Sequence, residues 1–268
     1  MTSATAPAKI NLALVVGPLR ADGRHEVATV LQRVDLADDL TLEPADELRV
    51  SGFADDTLVS RALEAFAAAA GVEPNWHVSI EKRIPVAGGL GGGSSDAATA
   101  LRLANETLDD PLDSERLIAL AARIGADVPF FLVPGHQLGT GDGTHLEPLE
   151  LPDDYRILLL LPPRAAKEST AAVYAEFDRR EGHQGFDDRR RKLQDALAHN
   201  DLAALPPNDL AQSPFAAELE RLGAFRADVS GAGPTVYGLF REHDEITAAA
   251  AALGHVGETW ICSPTWYG

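Results

Sequence analysis

Apolar and polar residues alternate from the N-terminus onward. Apolar residues recur at every second position from Ile10 to Leu14, which predicts a β-strand over residues 6–14. Because successive side chains of a strand point to opposite faces, Lys9 and Asn11 share the face opposite this apolar one. Further apolar segments predict two short strands within 38–53 and longer ones at 27–34, 78–84 and 157–161. The last segment is apolar throughout, which predicts a strand buried on both faces.

A helical period appears in four other segments. Residues 57–70 place their apolar side chains three and four positions apart, and Gly71 is placed to end that helix. The other predicted helices are 96–105, 112–124 with Asp113 or Ser114 as its cap, and 168–178. The mixture of strands and helices predicts an α+β protein.

Glycine-rich and polar segments separate these elements. Residues 135–143 predict a hairpin that bends at 141–143, and the charge-rich segment 181–192 predicts a mobile loop. The Leu-Pro-Asp-Asp string at 151–154 is typical of a boundary. We therefore predict two domains, 1–152 and 153–268.

The most distinctive segment is residues 85–96, Pro-Val-Ala-Gly-Gly-Leu-Gly-Gly-Gly-Ser-Ser-Asp. It lies between a predicted strand and a predicted helix, and its glycines let the backbone approach a ligand with no Cβ in the way. Ser94, Ser95 and Asp96 all favour the N-cap of a helix. Backbone N–H groups and the positive end of the helix dipole would then converge on one point, whose natural ligand is a phosphate. The alternative is a flexible linker or a tight turn, although a plain turn does not need so many glycines beside paired serines.

The glycine spacing excludes the common phosphate loops. The P-loop requires a lysine after its last glycine, whereas Ser94 follows Gly93 here. The dinucleotide-binding fingerprint fails because Ser94 stands where its third glycine belongs. Protein-kinase loops fail on the same spacing.

Composition narrows the class of protein. The 268 residues carry a formal net charge of −18, which argues against nucleic acid or an anionic membrane as a partner. Cys262 is the single cysteine, so neither an intramolecular disulfide nor a cysteine zinc cluster is possible. The sequence shows no signal peptide and no apolar run of eighteen residues, so we expect a cytoplasmic protein.

Several other residues are candidates for chemistry, each with a structural alternative. Lys9 alone is more typical of a solvated charge at the edge of a strand, and His25 alone is more typical of a turn. Asp127 follows a predicted helix and precedes Pro129, which is expected to hold residue 128 extended. A capping or turn aspartate is the alternative there. The glycine-containing loop 228–235, before a predicted hairpin strand at 236–240, is also compatible with an ordinary Gly-Pro hairpin.

Taken together, three motifs resemble those of the GHMP kinase superfamily, in the same order. They are Pro-Ala-Lys-Ile-Asn-Leu at 7–12, the glycine run at 85–95 and the loop at 228–235. The strings Asp22-Gly-Arg-His25 and Gly-Ala-Asp-Val-Pro-Phe-Phe at 125–131 are similar to those of one branch, the diphosphocytidyl kinases. That branch usually has a tyrosine where Arg24 stands. The resemblance implies two domains, the second a smaller ferredoxin-like layer.

The resemblance also implies roles for individual residues. Lys9 is expected in the active site, Asp127 as the catalytic base and Asn11 as a contact that helps to hold the substrate. His25 is expected to contact a cytosine base, and Tyr174 to stack on it. Arg24 is a second candidate to stack on the ring.

For the nucleotide, the resemblance implies an ATP site at the glycine loop. The implied ATP-binding residues are Pro85, Gly88, Gly89, Leu90, Gly91, Gly92, Gly93, Ser94 and Ser95. Either Ser94 or Ser95 is expected to bind Mg²⁺, and the Thr57-Leu58 pair is expected near the purine. Gly231 and Gly233 are expected to close against phosphate and substrate. Residues 208–210 match a family string, Asn-Asp-Leu-Glu, with Ala211 in place of the glutamate.

The implied reaction is phosphoryl transfer from MgATP to the 2-hydroxyl of a cytidine-diphosphate-linked methylerythritol, by a monomer or a homodimer. Two alternatives stay open. Another GHMP kinase, acting on homoserine, mevalonate or a sugar, would share the glycine motifs. A nucleotide-binding regulator on the same fold would not need Lys9 and Asp127 together.

Overall fold

A computed structural model describes residues 1–53, 58–163 and 169–266 of the chain. Thr57 and Glu168, at the ends of two predicted helices, lie outside the described residues. The chain divides into two compact units, each assembled from separate stretches. The first unit comprises the described parts of 1–8, 36–86 and 91–134; the second comprises those of 9–35, 87–90 and 135 onward. The division predicted at residue 152 stays a prediction.

Ten strands and seven helices are described. The strands are β1 (Thr2–Leu19), β2 (His25–Pro44), β3 (Arg49–Ser51), β4 (Trp76–Glu81), β5 (His136–Gly141), β6 (His145–Leu149), β7 (Arg156–Leu161), β8 (Arg226–Val229), β9 (Val236–Phe240) and β10 (Glu258–Cys262). The helices are α1 (Leu58–Ala70), α2 (Gly92–Asn105), α3 (Ser114–Ile124), α4 (Thr170–Arg179), α5 (Phe186–Ala198), α6 (Pro214–Arg221) and α7 (His243–Leu253), with short 3₁₀ turns at Pro129–Leu132 and Leu202–Ala204. Within these residues, none of the helices is both long and apolar enough to cross a membrane.

The first unit packs helices on strands. The C-terminal half of β2 pairs antiparallel with β4, which pairs in parallel with β3. Helix α1 buries Val59, Ala62, Leu63 and Phe66, spaced as one apolar stripe, and packs against α2 and α3. The 3₁₀ turn at Pro129–Leu132 packs against α2, which brings the segment after α3 to the helix that follows the glycine loop.

The second unit contains a hairpin and a four-stranded antiparallel sheet. The N-terminal half of β2 pairs with β5, which forms the predicted hairpin with β6. The sheet has the order β10-β7-β9-β8, and Ile157–Leu160 of β7 are completely buried, as predicted for a strand covered on both faces. The predicted loop between β8 and its hairpin partner β9 is also present.

Three local predictions were wrong. Residues 181–192 were expected to form a loop, but α5 begins at Phe186 after the left-handed Gly185, with Asp187 and Asp188 complementing the positive end of its dipole. Helix α2 begins at Gly92, four residues earlier than predicted, and its N-cap is Gly91 at φ 70° with no side-chain cap. Val128 has helical angles (φ −63°, ψ −43°), because a turn joins it to Gly125 and the 3₁₀ turn continues from it.

Strand β2 extends through a segment that was expected to contain a break. The prediction placed one strand at 27–34 and two further short strands within 38–53, which left a gap at 35–37. The side chain of Asp38 is fully buried, and its Oδ1 accepts hydrogen bonds from the N–H groups of Arg83 and Ile84. A carboxylate that is bound in this way does not end the strand.

Candidate active site

Residues 87–90 of the glycine loop belong to the second unit, and the carbonyl oxygens of residues 88–90 are hydrogen-bonded there. The carbonyls of residues 88–90 accept, in order, from the N–H of Thr235 (3.2 Å), the hydroxyl of Ser230 (2.9 Å) and the N–H of Lys9 (2.9 Å). Within the described chain, the N–H groups of residues 89 and 90 donate no hydrogen bond. The neighbours therefore fix the shape of this half of the loop and leave its donors available.

Close backbone approach explains two of the glycines. Gly89 has φ +79°, and a Cβ there would lie 2.4 Å from the carbonyl oxygen of Ser230 and 2.8 Å from that of Gly233. Gly231 has φ +58°, and its Cβ position is 3.3 Å from Asn11 Oδ1 and 3.5 Å from Lys9 Nζ. The loop between β8 and β9 therefore contacts both the glycine loop and the Lys9–Asn11 pair.

Lys9 and Asn11 begin a buried hydrogen-bond chain. Lys9 Nζ donates to Asn11 Oδ1 at 2.6 Å, and Asn11 Nδ2 donates to the hydroxyl of Thr29 at 2.7 Å. The Thr29 hydroxyl in turn donates to the carbonyl of Ala13 at 2.8 Å. All three polar side chains are at most 5% exposed. These successive hydrogen bonds fix the direction of the ammonium group, so Lys9 is not a solvated surface charge.

His25 and Tyr174 lie together in the structure. Their rings stack with centroids 5.1 Å apart and an angle of 26° between planes, and the edge of the Phe177 ring completes the set. His25 Nδ1 contacts the carbonyl of Gly17 at 2.9 Å, and its Nε2 lies 3.3 Å from a carboxylate oxygen of Asp178. The imidazole orientation is therefore fixed by two acceptors and two aromatic rings.

Arg24, which stands where a tyrosine was expected, forms an ion pair with Asp142 at the bend of the β5–β6 hairpin. The other oxygen of that carboxylate accepts from the N–H and hydroxyl of Thr144. These bonds lower the pKa of Asp142, against the effect of its partial burial, so the carboxylate stays ionised beside the guanidinium. Arg24 is thus held by the hairpin bend, and stacking on a base remains a prediction.

The second half of the glycine loop, in the first unit, is the start of α2. The N–H of Ser95 donates to the carbonyl of Gly91, which closes the first helical turn, while the N–H groups of residues 91–94 donate no hydrogen bond within the described chain. The hydroxyls of Ser95 and Thr99, one turn apart, are buried and have no partner there either. Free donors at a helix N-terminus, where the dipole is positive, are suited to bind an anion.

Asp127 lies in the turn between α3 and the 3₁₀ turn at Pro129–Leu132. The N–H of Val128 donates to the carbonyl of Gly125 at 3.2 Å, which closes this turn. The side chain of Asp127 is half-buried. Because the 3₁₀ turn packs against α2, the first unit contains both this carboxylate and the free donors of the helix start.

Known proteins match the chain over most of its length. The model of the GHMP kinases N terminal domain matches residues 57–135, and that of the GHMP kinases C terminal matches residues 191–259. A 4-diphosphocytidyl-2-C-methyl-D-erythritol kinase of Streptomyces avermitilis is 41% identical in an alignment that covers 92% of this chain and 90% of the relative. The chain belongs to the GHMP kinase family. A kinase of the same name from Geobacter metallireducens is 37% identical over 96% of the chain and 95% of the relative.

Solved structures agree with this assignment. A crystal structure of 4-(cytidine 5'-diphospho)-2C-methyl-D-erythritol kinase matches with a TM-score of 0.81 and 31% identity, and the match covers 100% of both chains. A mevalonate kinase matches with a TM-score of 0.73 at 13% identity, covering 100% of both chains, which shows the shared fold alone. The predicted family and the predicted two-domain fold of mixed helices and strands are confirmed.

In this GHMP kinase, the structure brings most of the predicted residues into three local groups. Lys9, Asn11 and Gly231 surround the first half of the glycine loop, where the N–H of Gly233 donates to the carbonyl of Ser230. His25 and Tyr174 form the second group. Gly91, Gly92, Gly93, Ser94 and Ser95 lie at the start of α2, in the same unit as Asp127. Pro85 lies before the loop and is half-buried, and the hydroxyl of Ser94 makes no hydrogen bond within the described residues.

A buried charge cluster of the GHMP kinase, which no motif in the sequence predicted, lies beside the glycine loop. Lys82 Nζ donates to Asp38 Oδ2 and to Asp96 Oδ2, both at 2.6 Å, and both carboxylates are fully buried. Asp38 also binds the backbone just after Lys82, and Asp96 belongs to the first turns of α2. The cluster therefore ties the strand before the loop to the helix after it. Its only signal in the sequence is a lysine at the end of a strand.

The charges of this cluster are unequal. Burial raises the pKa of Asp96 to about 7, with Asp38 adding to the rise and Lys82 opposing it. Although burial lowers the pKa of Lys82, the two carboxylates raise it above its ordinary value overall. One ammonium shared between two buried carboxylates leaves a surplus negative charge, and Asp96 is the group that takes up a proton near neutrality.

Proposed function

We propose that this GHMP kinase transfers the γ-phosphoryl group of ATP to the 2-hydroxyl of 4-diphosphocytidyl-2-C-methyl-D-erythritol, giving the 2-phosphate and ADP. Its relatives, matched over nine-tenths of the chain, are named as kinases of this compound. The observation that carries the proposal is the glycine loop. The carbonyls of residues 88–90 are bound by neighbours, while the N–H groups of residues 89 and 90 in the second unit, and those of residues 91–94 in the first, have no acceptor within the described chain.

Those N–H groups suit a triphosphate for three reasons. Glycine lets phosphate oxygens approach the backbone, the first turn of α2 adds the positive end of its dipole, and fixed donors need no reorganisation as charge develops. The bonds from Thr235, Ser230 and Lys9 support this arrangement, because they prevent the carbonyls of residues 88–90 from turning toward the ligand.

Lys9 and Asp127 are proposed to serve the chemical step. The acceptor oxygen forms the new bond to the γ-phosphorus, and the bond from that phosphorus to the β,γ-bridging oxygen breaks, with its electron pair leaving on ADP. The proton of the acceptor hydroxyl passes to the carboxylate of Asp127, which acts as general base. The ammonium of Lys9, oriented by Asn11, offsets charge on the phosphoryl oxygens. A tertiary alcohol is a poor acid, so positioning contributes at least as much as basicity.

Mg²⁺ fits this site as a companion of ATP. Within the described residues, no group of three or more His, Cys, Asp or Glu side chains is arranged to hold a metal ion. Mg²⁺ commonly takes few protein ligands and shares the phosphates of its nucleotide. The proposed protein ligands are the hydroxyl of Ser95, which is buried and has no partner among the residues that the structure describes, and the neighbouring hydroxyl of Ser94. When bound, the ion neutralises part of the charge on the phosphates.

The stacked pair of His25 and Tyr174 is proposed to bind the cytosine end of the acceptor. A planar aromatic base is suited to an aromatic surface, and a fixed imidazole offers a directional polar contact. Arg24, held by Asp142, is the proposed neighbour of that base in place of the usual tyrosine.

The test is ADP release with MgATP and each of three acceptors in parallel: diphosphocytidyl-methylerythritol, homoserine and mevalonate. We expect turnover with the first acceptor only. Turnover with another acceptor would contradict the proposed substrate and the roles of His25 and Tyr174. MgATP binding without turnover on any acceptor would favour a nucleotide-binding regulator.

The role of Asp127 is tested with Asp127→Asn. We expect kcat to fall by about 10²–10⁴ while MgATP affinity stays near that of the wild type, because the variant removes the base and leaves the loop in place. Asp113→Asn is the matched control, since Asp113 caps the far end of α3 and asparagine caps a helix equally well. Loss of MgATP binding, or unchanged turnover, would reject Asp127 as the base.

A further inference from the structure

Asn208 is buried, and all the hydrogen bonds that its side-chain amide can form are made with backbone groups. Its Nδ2 donates to the carbonyl of Val229 at 2.8 Å and to that of Gly231 at 2.7 Å. Its Oδ1 accepts from the N–H of Leu210 at 2.8 Å and from that of Ala211 at 3.4 Å. Only an amide presents two donors and an acceptor oxygen within such a small volume. At 2% exposure, Asn208 has no contact with solvent that could replace these bonds.

The two carbonyls that Asn208 holds flank the residue that holds the glycine loop. Ser230 lies between Val229 and Gly231, and its hydroxyl donates to the carbonyl of Gly89. Gly231 in turn lies against Lys9 and Asn11. Asn208 therefore fixes the segment through which the β8–β9 loop contacts both the backbone of the glycine loop and the ammonium group of Lys9.

The next residue, Asp209, fixes the strand that carries Lys9 and Asn11. Its N–H donates to the carbonyl of Leu14 at 2.9 Å, and its carboxylate accepts from the N–H of Val16 at 2.8 Å. Asn208, which holds the β8–β9 loop, is therefore adjacent in the chain to Asp209, which holds β1. This arrangement sets the spacing between the loop and the strand.

We propose that Asn208 is a positioning residue for nucleotide binding, which acts through Val229 and Gly231 to hold Ser230 against Gly89. The inference rests on the proposed ATP site. It predicts that loss of the two Nδ2 bonds weakens MgATP binding even though Asn208 itself does not touch the ligand. A merely structural asparagine would lower thermal stability without changing nucleotide affinity.

The test variant is Asn208→Asp, which keeps the size and the acceptor oxygen but replaces the donor group with an acceptor when ionised. Its matched control is Asn105→Asp. Asn105 also bridges backbone groups, with Nδ2 donating to the carbonyl of Leu112 and Oδ1 accepting from its N–H. It lies at the opposite end of α2 from the glycine loop, about 20 Å along the helix. The same chemical change is therefore made at both positions.

Isothermal titration with MgATP and steady-state kinetics are the readouts. We expect Asn208→Asp to weaken MgATP binding and to lower kcat/KM for ATP at least tenfold. We expect Asn105→Asp to stay within twofold of the wild type in both, although both variants melt at lower temperature. Equal MgATP affinity in the two variants would overturn the proposal.

Ser230→Ala provides a second test that does not depend on the folding of Asn208→Asp. The variant removes the hydrogen bond that the Ser230 hydroxyl donates to the carbonyl of Gly89, and we expect it to weaken MgATP binding at least threefold. If Asn208 acts through this hydrogen bond, the variant with both substitutions will lose less MgATP affinity than the product of the two single-variant losses. A product of independent losses, or full affinity in Ser230→Ala, would overturn the proposal. Wild-type protein that binds MgATP but does not turn over the proposed acceptor would reject the proposed function and leave the affinity test intact.

Discussion

Replacing Gly89 with alanine tests whether the shape of the glycine loop is imposed by its neighbours. The added Cβ would lie 2.4 Å from the carbonyl oxygen of Ser230 and 2.8 Å from that of Gly233. Both are backbone atoms, so neither can move aside as the end of a flexible side chain would. The contact can be relieved only if the loop from residue 230 to 235 separates from residues 88–90.

That separation has a cost that follows from the bonds it breaks. A left-handed backbone costs a residue with a Cβ about 1–2 kcal/mol, and Gly89 has φ +79°. Separation also breaks the bonds that Ser230 and Thr235 donate to Gly89 and Gly88, each contributing about 1 kcal/mol. We therefore expect Gly89→Ala to lower the free energy of unfolding by about 3–4 kcal/mol.

Gly135→Ala is the control that isolates the contribution of the backbone angle. Gly135 has φ +73°, in the same unit, but nothing lies within 4 Å of its Cβ position. Its loss should be about 1–2 kcal/mol, and the two variants should differ in Tm by roughly 4–8 °C. Differential scanning calorimetry measures this difference, and MgATP titration should show weakened binding in Gly89→Ala alone. Equal Tm values for the two variants would refute the idea that backbone contact, rather than φ alone, requires glycine at position 89.

Two further predictions concern buried titratable groups. Because burial raises the pKa of Asp96 to about 7 from an ordinary value of 3.8, its contribution to stability is complete below that ordinary value and is lost as the pH rises through 7. Asp96→Asn leaves Lys82 paired with Asp38 and does not titrate. In thermal melts, the Tm of the variant minus the Tm of the wild type should therefore increase from pH 5 to pH 8, and a constant difference would contradict this. Burial lowers the pKa of His136, which packs on Trp266 at 4.4 Å, from 6.5 to about 4, so its contribution is complete above pH 6.5 and is lost as the pH falls toward 4. The wild type should lose about 2 kcal/mol more than His136→Gln between pH 7 and pH 5 in urea unfolding, and parallel losses would show that this histidine is not responsible.

Much of the fold follows from local patterns in the sequence. The alternation around Ile10 identified β1, and the continuous apolar run at 157–161 identified β7 as a buried strand. The apolar period of 57–70 identified α1. In each case the signal and its cause lie within one element, because burial of a face depends on the period of that element alone.

The wrong predictions arose where a polar residue has a distant partner. The predicted strands left a gap at 35–37, whereas β2 runs through it, and the N–H groups of Arg83 and Ile84, more than forty residues away, bind the buried carboxylate of Asp38. Residues 181–192 were expected to form a loop, but Arg189 of α5 donates to Asp209 and to the carbonyl of Val16. No local period encodes such partners, so a polar segment gives the same signal whether it is solvated or bound.

The sequence also predicts only those parts of the candidate site that lie within a single short motif. The glycine run and the Lys9–Asn11 alternation are visible in the sequence because they are short motifs on single elements. The residues that give the run its shape are not visible, because a glycine-rich segment has few side chains to pack and the carbonyls of residues 88–90 are bound by residues far away in the sequence. In this chain that task falls to Lys9, Ser230 and Thr235, and through Ser230 to Asn208.

A loop held in this way differs physically from a flexible linker of the same composition. Glycine has the largest conformational freedom to lose, so an unsupported run would bind phosphate only after it had been ordered by the ligand. Hydrogen bonds from two separate segments, β1 and the β8–β9 loop, order residues 88–90 before binding, and the first turn of α2 orders the residues that follow. Preorganised donors lose less entropy on binding and stabilise developing charge without rearrangement. The proposed phosphoryl transfer therefore depends on the bound carbonyls as much as on the N–H groups that have no acceptor within the described chain.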